Sequence, residues 1–155
     1  MREFFKQVME VIEPLKQGFA TTGRHVFEPA VTYEYPEERK PLADRARWRH
    51  ILRRYEEGEN AGLERCIGCS LCSAACPAEC IFVEAAENRD AERYSPGERY
   101  AKTYQINLLR CIFCGMCEEA CPTGAIVLTD DYELSEYSRE AFIYNKERLL
   151  VPPTT

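Results

Sequence analysis

"CIGCSLCSAACP" occupies residues 66–77 and "CIFCGMCEEACP" residues 111–122, and reading the second as a copy of the first decides the fold. Cys66, Cys69, Cys72 and Cys76 each meet a cysteine 45 residues on, at Cys111, Cys114, Cys117 and Cys121, and Pro77 and Pro122 close the two phrases. The match runs past the sulfurs: Ile67 aligns with Ile112, Leu71 with Met116, Ile81 with Ile126 and Val83 with Leu128. An internal duplication is the simplest source of such a register. Each half then predicts a cysteine loop, a short helical turn through "SAACPAE" or "EEACPTG", and a strand, "CIFVEA" or "AIVLTD". Two such units around a pseudo-two-fold axis make a small α+β domain with a largely inorganic interior.

The rest of the chain argues for metal over disulfides. With 155 residues, 45% of them hydrophobic, and a mean hydropathy of −0.43, the sequence describes one globular domain with extensions. No stretch has the apolar length of a helical membrane crossing. The opening "MREFFKQVMEVIEPLKQGF" sets Glu3, Glu10 and Glu13 where a secretory signal would be apolar, so a reducing, cytoplasmic setting is expected. Nine cysteines there, eight in two matched groups, point to metal. A zinc site would ask for two C-x2-C pairs closing a tetrahedron; a third cysteine at the same interval and a trailing Cys-Pro, both repeated, exceed that need.

The spacing C-x2-C-x2-C-x3-C-P resembles the run of bacterial two-cluster ferredoxins, whose fourth cysteine serves the other cluster, and the ligand pairing is theirs. It implies one 4Fe-4S cluster on Cys66, Cys69, Cys72 and Cys121, and a second on Cys111, Cys114, Cys117 and Cys76. Cys80 aligns 45 residues on with Ala125, so the ninth cysteine reads as a small buried packing residue and not as a ligand.

Around this core the sequence divides unevenly. Residues 1–56 read as an N-terminal amphipathic helix and a basic, extended docking arm, 57–87 as the first cluster repeat and 88–101 as an insertion loop. Residues 102–131 read as the second repeat and 132–155 as a partner-contacting tail. Phe5, Val8, Ile12, Leu15 and Phe19 step by three and four along one helix face, with Pro14 expected to kink or divide it. That face suits docking to protein, with bilayer contact as a companion role. Between residues 39 and 54 seven Arg or Lys stand against Asp44 alone, suggesting an acidic partner or lipid head groups; in a chain of net charge −6, nucleic acid is not expected. His25 and His50 read as ordinary surface or packing histidines. "RYAKTYQINLL" predicts a strand returning to the second loop. The tail carries Tyr132, Tyr137, Phe142 and Tyr144, suited to a partner or to wrapping its own domain.

"GLERCIGCSLC" and "GERYAKTYQINLLRCIFCGMCEEACPTGAIVLT" together resemble the two-cluster subunit I of bacterial NADH-quinone oxidoreductase, respiratory complex I. The resemblance runs from about Arg24 to Val151 and is strongest from Gly62 to Thr129. It implies a peripheral subunit on the cytoplasmic face of the bacterial inner membrane. Such a subunit takes electrons from the large cluster-bearing subunit and passes them toward the terminal cluster and quinone, with its first helix against the membrane arm. "EEGENA" before Gly62 and the end soon after "LLVPPTT" depart from that family. No G-x-G-x-x-G fingerprint or nucleophile with a paired base is present, so the chain reads as an electron carrier within a proton-translocating enzyme, without a substrate site of its own. A ferredoxin-like subunit of a membrane-bound hydrogenase or of a deazaflavin-coenzyme dehydrogenase, and a free two-cluster ferredoxin, are the rival readings.

Overall fold

Helix α1, Arg2–Val26, opens the chain in the computed structural model, which describes residues 1–89 and 92–150, apart from the side chain of Phe5. Of the expected apolar face, the Phe5 side chain lies outside the described part, Val8 and Ile12 are half-buried, and Leu15 and Phe19 are exposed. Pro14 removes one backbone donor yet does not divide the helix. Arg24 and His25 in its last turn oppose the negative end of the helix dipole. Among the described residues no helix is long and apolar enough to cross a membrane.

The chain forms two compact units, Met1–Pro41 with α1, and a second beginning at Leu42. Sequence reasoning had drawn the first boundary at 56. The difference lies in strand β1, His50–Leu52, whose residues belong to the cysteine-bearing unit. It pairs antiparallel with β4, Ile126–Leu128, setting His50 opposite Leu128 and Leu52 opposite Ile126.

The larger sheet is a hairpin with an added edge. Strands β2, Ile81–Glu87, and β3, Arg99–Asn107, pair antiparallel, and β5, Ile143–Asn145, joins β3 to give the order β2-β3-β5. The register shifts at Glu84/Ala85, which face Thr103 and Ala101 and leave Lys102 as the extra residue. That bulge lets Ala101 and Tyr104, three residues apart, both turn into the core, which strict alternation forbids. The part of the insertion at 88–98 is held by Asn88, whose side-chain amide donates to Ser95 O at 3.0 Å and Gly97 O at 2.6 Å. Residues 90–91 of that insertion lie outside the described residues, as do 151–155 of the tail.

Short helices α2, Leu71–Ala74, and α3, Met116–Glu119, follow the two cysteine loops, and α4, Lys146–Leu149, ends the described chain. Part of the tail takes the alternative reading, packing on its own domain. Tyr144 and Leu149 are among the most buried side chains of the protein, in one core with Ile81, Tyr104, Ile106, Leu108 and Ile126. Tyr144 thus packs into its own domain, Tyr132 and Phe142 are half-buried, and Tyr137 is fully exposed.

Candidate metal centres

The backbone of the two loops follows one plan. Left-handed φ values fall at Gly68 (66°) and Phe113 (53°), at Ser70 (61°) and Gly115 (82°), and at Glu79 (47°) and Gly124 (58°), each pair 45 residues apart. Every pair holds one residue other than glycine, at roughly 1–2 kcal/mol of steric cost. The conformation is therefore demanded by the loop and not by local preference. Its effect is to turn amide groups toward sulfur: Phe113 N–H donates to Cys111 Sγ at 3.3 Å, and Ala125 N–H to Cys121 Sγ at 3.2 Å.

The eight repeated cysteines separate around two cavities, and they separate crosswise. Cys66, Cys69 and Cys72 of the first loop share a cavity with Cys121 of the second, walled by Leu52, Val83, Tyr104 and Ile126. Cys111, Cys114 and Cys117 share the other with Cys76, alongside His50, Cys80 and Ile81.

Burial pushes the thiol of Cys66 up to about 11 and that of Cys117 up to about 12, and it raises Cys72 and Cys111 as well. At Cys76 burial also raises the pKa, but the amides of Cys80, Ala78 and Glu79 and the Cys80 thiol together pull it below the ordinary thiol range. Cys121 follows the same pattern, with amides of Ile126, Ala125 and Thr123 and the Thr123 hydroxyl outweighing burial. The four raised thiols keep their protons until a cation displaces them, whereas the amides around Cys76 and Cys121 favour the thiolate that a metal takes. Among the described residues no three His, Cys, Asp or Glu side chains converge closely enough to hold a single metal ion. Four soft sulfur donors spread around each cavity, with amides aimed at them, instead fit a polynuclear iron–sulfur group.

Sequence reasoning missed the side chains that complete these cavities. His50, read as an ordinary histidine, is 1% exposed, with Nε2 at 3.9 Å from Cys111 Sγ and Nδ1 buried without a partner. Burial lowers its pKa to about 4. The Tyr104 hydroxyl lies 3.2 Å from Cys72 Sγ, and that of Thr123 3.6 Å from Cys121 Sγ. Cys80 is buried, as a packing residue would be, and also places its sulfur 3.4 Å from Cys76 Sγ. Of the basic stretch, Arg47 donates to Cys114 O at 2.6 Å and pairs with Glu119 at 3.0 Å, while Arg49 pairs with Asp131 at 3.4 Å. Those two cations are thus engaged inside the domain. The one available signal for His50 was the stretch "RWRHIL", in which alternate residues face one side of a strand too short to stand out.

Residues 65–125 match the 4Fe-4S dicluster domain family. Among solved structures the chain is similar to one from the membrane-bound sulfane sulfur reductase, an archaeal respiratory membrane complex, with 27% identity and a TM-score of 0.52. The similarity covers 79% of this chain and 56% of that one, so the chain spans little more than half the length of its structural relative. Residues 65–125 are thus a 4Fe-4S dicluster ferredoxin domain, a class of domain built to hold iron–sulfur clusters on cysteine sulfurs.

Proposed function

We propose that the chain is a fixed electron-relay subunit of a membrane-associated respiratory oxidoreductase. It holds two 4Fe-4S clusters, one on Cys66, Cys69, Cys72 and Cys121, the other on Cys111, Cys114, Cys117 and Cys76. The observation that carries this reading is the crossed grouping of eight thiols around two cavities. The recurrence of left-handed positions at an interval of 45 supports a duplicated ferredoxin fold with pseudo-two-fold symmetry.

When bound, the clusters supply reversible one-electron storage; the chain supplies the conditions for it. Amides aimed at Cys66, Cys76, Cys111 and Cys121 stabilise added negative charge. Leu52, Val83 and Ile126 exclude water from the first cavity, and Ile81 and Ala78 do so in the second. With the eight thiols committed to the clusters, including the Cys111 that His50 faces, substrate oxidation and reduction are assigned to partner subunits.

Anaerobic purification or reconstitution, with iron and sulfide analysis and electron paramagnetic resonance, tests this. About eight irons per chain and two 4Fe-4S signals are expected. Cys69→Ala and Cys114→Ala should each remove one signal. A chain that assembles fully with four irons or fewer sinks the two-cluster reading.

For the assembly itself, we favour NADH-quinone oxidoreductase, on the residues "GLERCIGCSLC" and "GERYAKTYQINLLRCIFCGMC". In that setting the subunit lies peripherally on the cytoplasmic face of the membrane. It passes electrons from the large cluster-bearing subunit toward the quinone-proximal cluster, within a proton-translocating complex. Similarity to a chain of the sulfane sulfur reductase supports a second reading, a counterpart subunit in a related membrane-bound reductase. Purification of the native assembly from membranes separates them. Clusters reduced by NADH favour the first, clusters reduced only by another donor favour the second, and a soluble monomer overturns both.

A further inference from the structure

One short strand treats the two cavities differently. In β1, His50 and Leu52 are two residues apart and so project from the same face, His50 lining the second cavity and Leu52 the first. The imidazole is 1% exposed, lies 5.7 Å from the ring of Phe113, and has one nitrogen, Nδ1, with no partner. Its other nitrogen faces the sulfur of Cys111 at 3.9 Å.

The tautomer follows from those surroundings. With the proton on Nε2, the ring donates to a sulfur that becomes a thiolate on metal binding, and only a lone pair at Nδ1 goes unmatched. With the proton on Nδ1, a buried N–H would be orphaned and two lone-pair donors would confront each other across the cavity. A buried histidine with half its polar capacity unused is poorly explained by packing alone, and its place is matched beside the other cavity by Tyr104, which pairs with Val83 as His50 pairs with Leu128 and likewise sets a polar atom against a cysteine sulfur.

Resting on the two-cluster reading above, we infer that His50 is a positioning residue that donates a hydrogen bond to Cys111 and raises the reduction potential of the second centre alone. Reduction adds negative charge to a cluster, and an N–H directed at a ligand sulfur stabilises that charge. The first centre draws its side-chain donors from elsewhere, the hydroxyls of Tyr104 and Thr123. His50 lies before the matched domain at 65–125. A strand that precedes the matched domain in sequence thus tunes one of its two centres.

The test is a potentiometric titration of the full, cluster-loaded chain followed by electron paramagnetic resonance. For His50→Leu one midpoint should move to lower potential while the other stays in place. His50→Gln, which keeps an N–H donor of similar reach, should restore much of the shift. Equal movement of both midpoints, or movement of neither, overturns the inference. So does loss of a cluster in both variants, which would make His50 a packing residue. A wild-type chain that never binds two clusters fails at the iron count, before any midpoint is read, and overturns the cluster reading along with the inference.

Discussion

Gly68 shows how little freedom the cysteine loops have. Its φ is +66°, and a Cβ built there would stand 2.9 Å from the carbonyl oxygen of Tyr100 and 3.0 Å from the Cβ of Ala85. Gly124 has a comparable φ of +58° but open space around it. Alanine at the two sites therefore separates backbone strain from steric exclusion. Gly124→Ala should cost about 1 kcal/mol, the left-handed penalty alone. Gly68→Ala adds a clash with the backbone of the hairpin, and a loss of about 3 kcal/mol or of the first cluster is expected. Anaerobic denaturant titration of the loaded protein measures both, and equal losses would show that the hairpin does not brace the loop. Cys80 offers a milder probe. Because Ala125 fills the equivalent place, Cys80→Ala should retain full iron content and lose about 1 kcal/mol or less of stability, read from the same titration.

Between elements, the decisive contacts join distant parts of the chain. Lys146, at the start of α4, places Nζ 2.9 Å from Glu64 Oε1, with the two side chains 13% and 4% exposed. The same nitrogen donates to Ala101 O at 2.8 Å and lies over the rings of Tyr94 and Tyr100. It ties the tail to the residue pair preceding Cys66 and to the bulged strand β3. Lys146→Met strands a buried carboxylate and should cost about 3–5 kcal/mol. Adding Glu64→Leu should recover most of that loss, since the burial penalty disappears with the charge; failure to recover would mean that the lysine acts chiefly through Ala101 O. This clamp also marks where sequence reasoning stops. The cysteines were legible because their ligand spacing is local and written twice. Tyr144 and Leu149 were not, because an aromatic tail has the same composition whether it covers its own domain or a neighbour's. His50 was hidden for the same reason: its partner Cys111 is remote in sequence and is reached only through the pairing of β1 with β4. The bulge at Lys102 left no mark in residue type, so the sequence predicts the strand at β3 but not the shift in its inward face.

At the scale of the whole molecule, the second unit is built from pieces too small to stand alone. Helices α2 and α3 have 4 residues each, and strands β1 and β4 have 3. Isolated helices below about 12 residues and two-stranded ribbons are marginal in water. Cys72, Cys80 and Cys117 sit within the same buried core as Leu52, Ile81 and Ile126, so the two cavities are part of that core and not appended to it. Empty, the cavities would confront buried thiols with one another and with amides lacking a thiolate to bind. Metal binding and folding of this unit are then one equilibrium. Removing iron with a chelator under oxidising conditions should collapse hydrogen-exchange protection in β2, β3, β5 and both cysteine loops together. Persistent protection of the β2–β3 hairpin in the iron-free chain would show that the sheet and the tail clamp fold without the clusters. The metal centres would then be guests in a finished scaffold, and the left-handed strain in their loops would be carried by the protein alone.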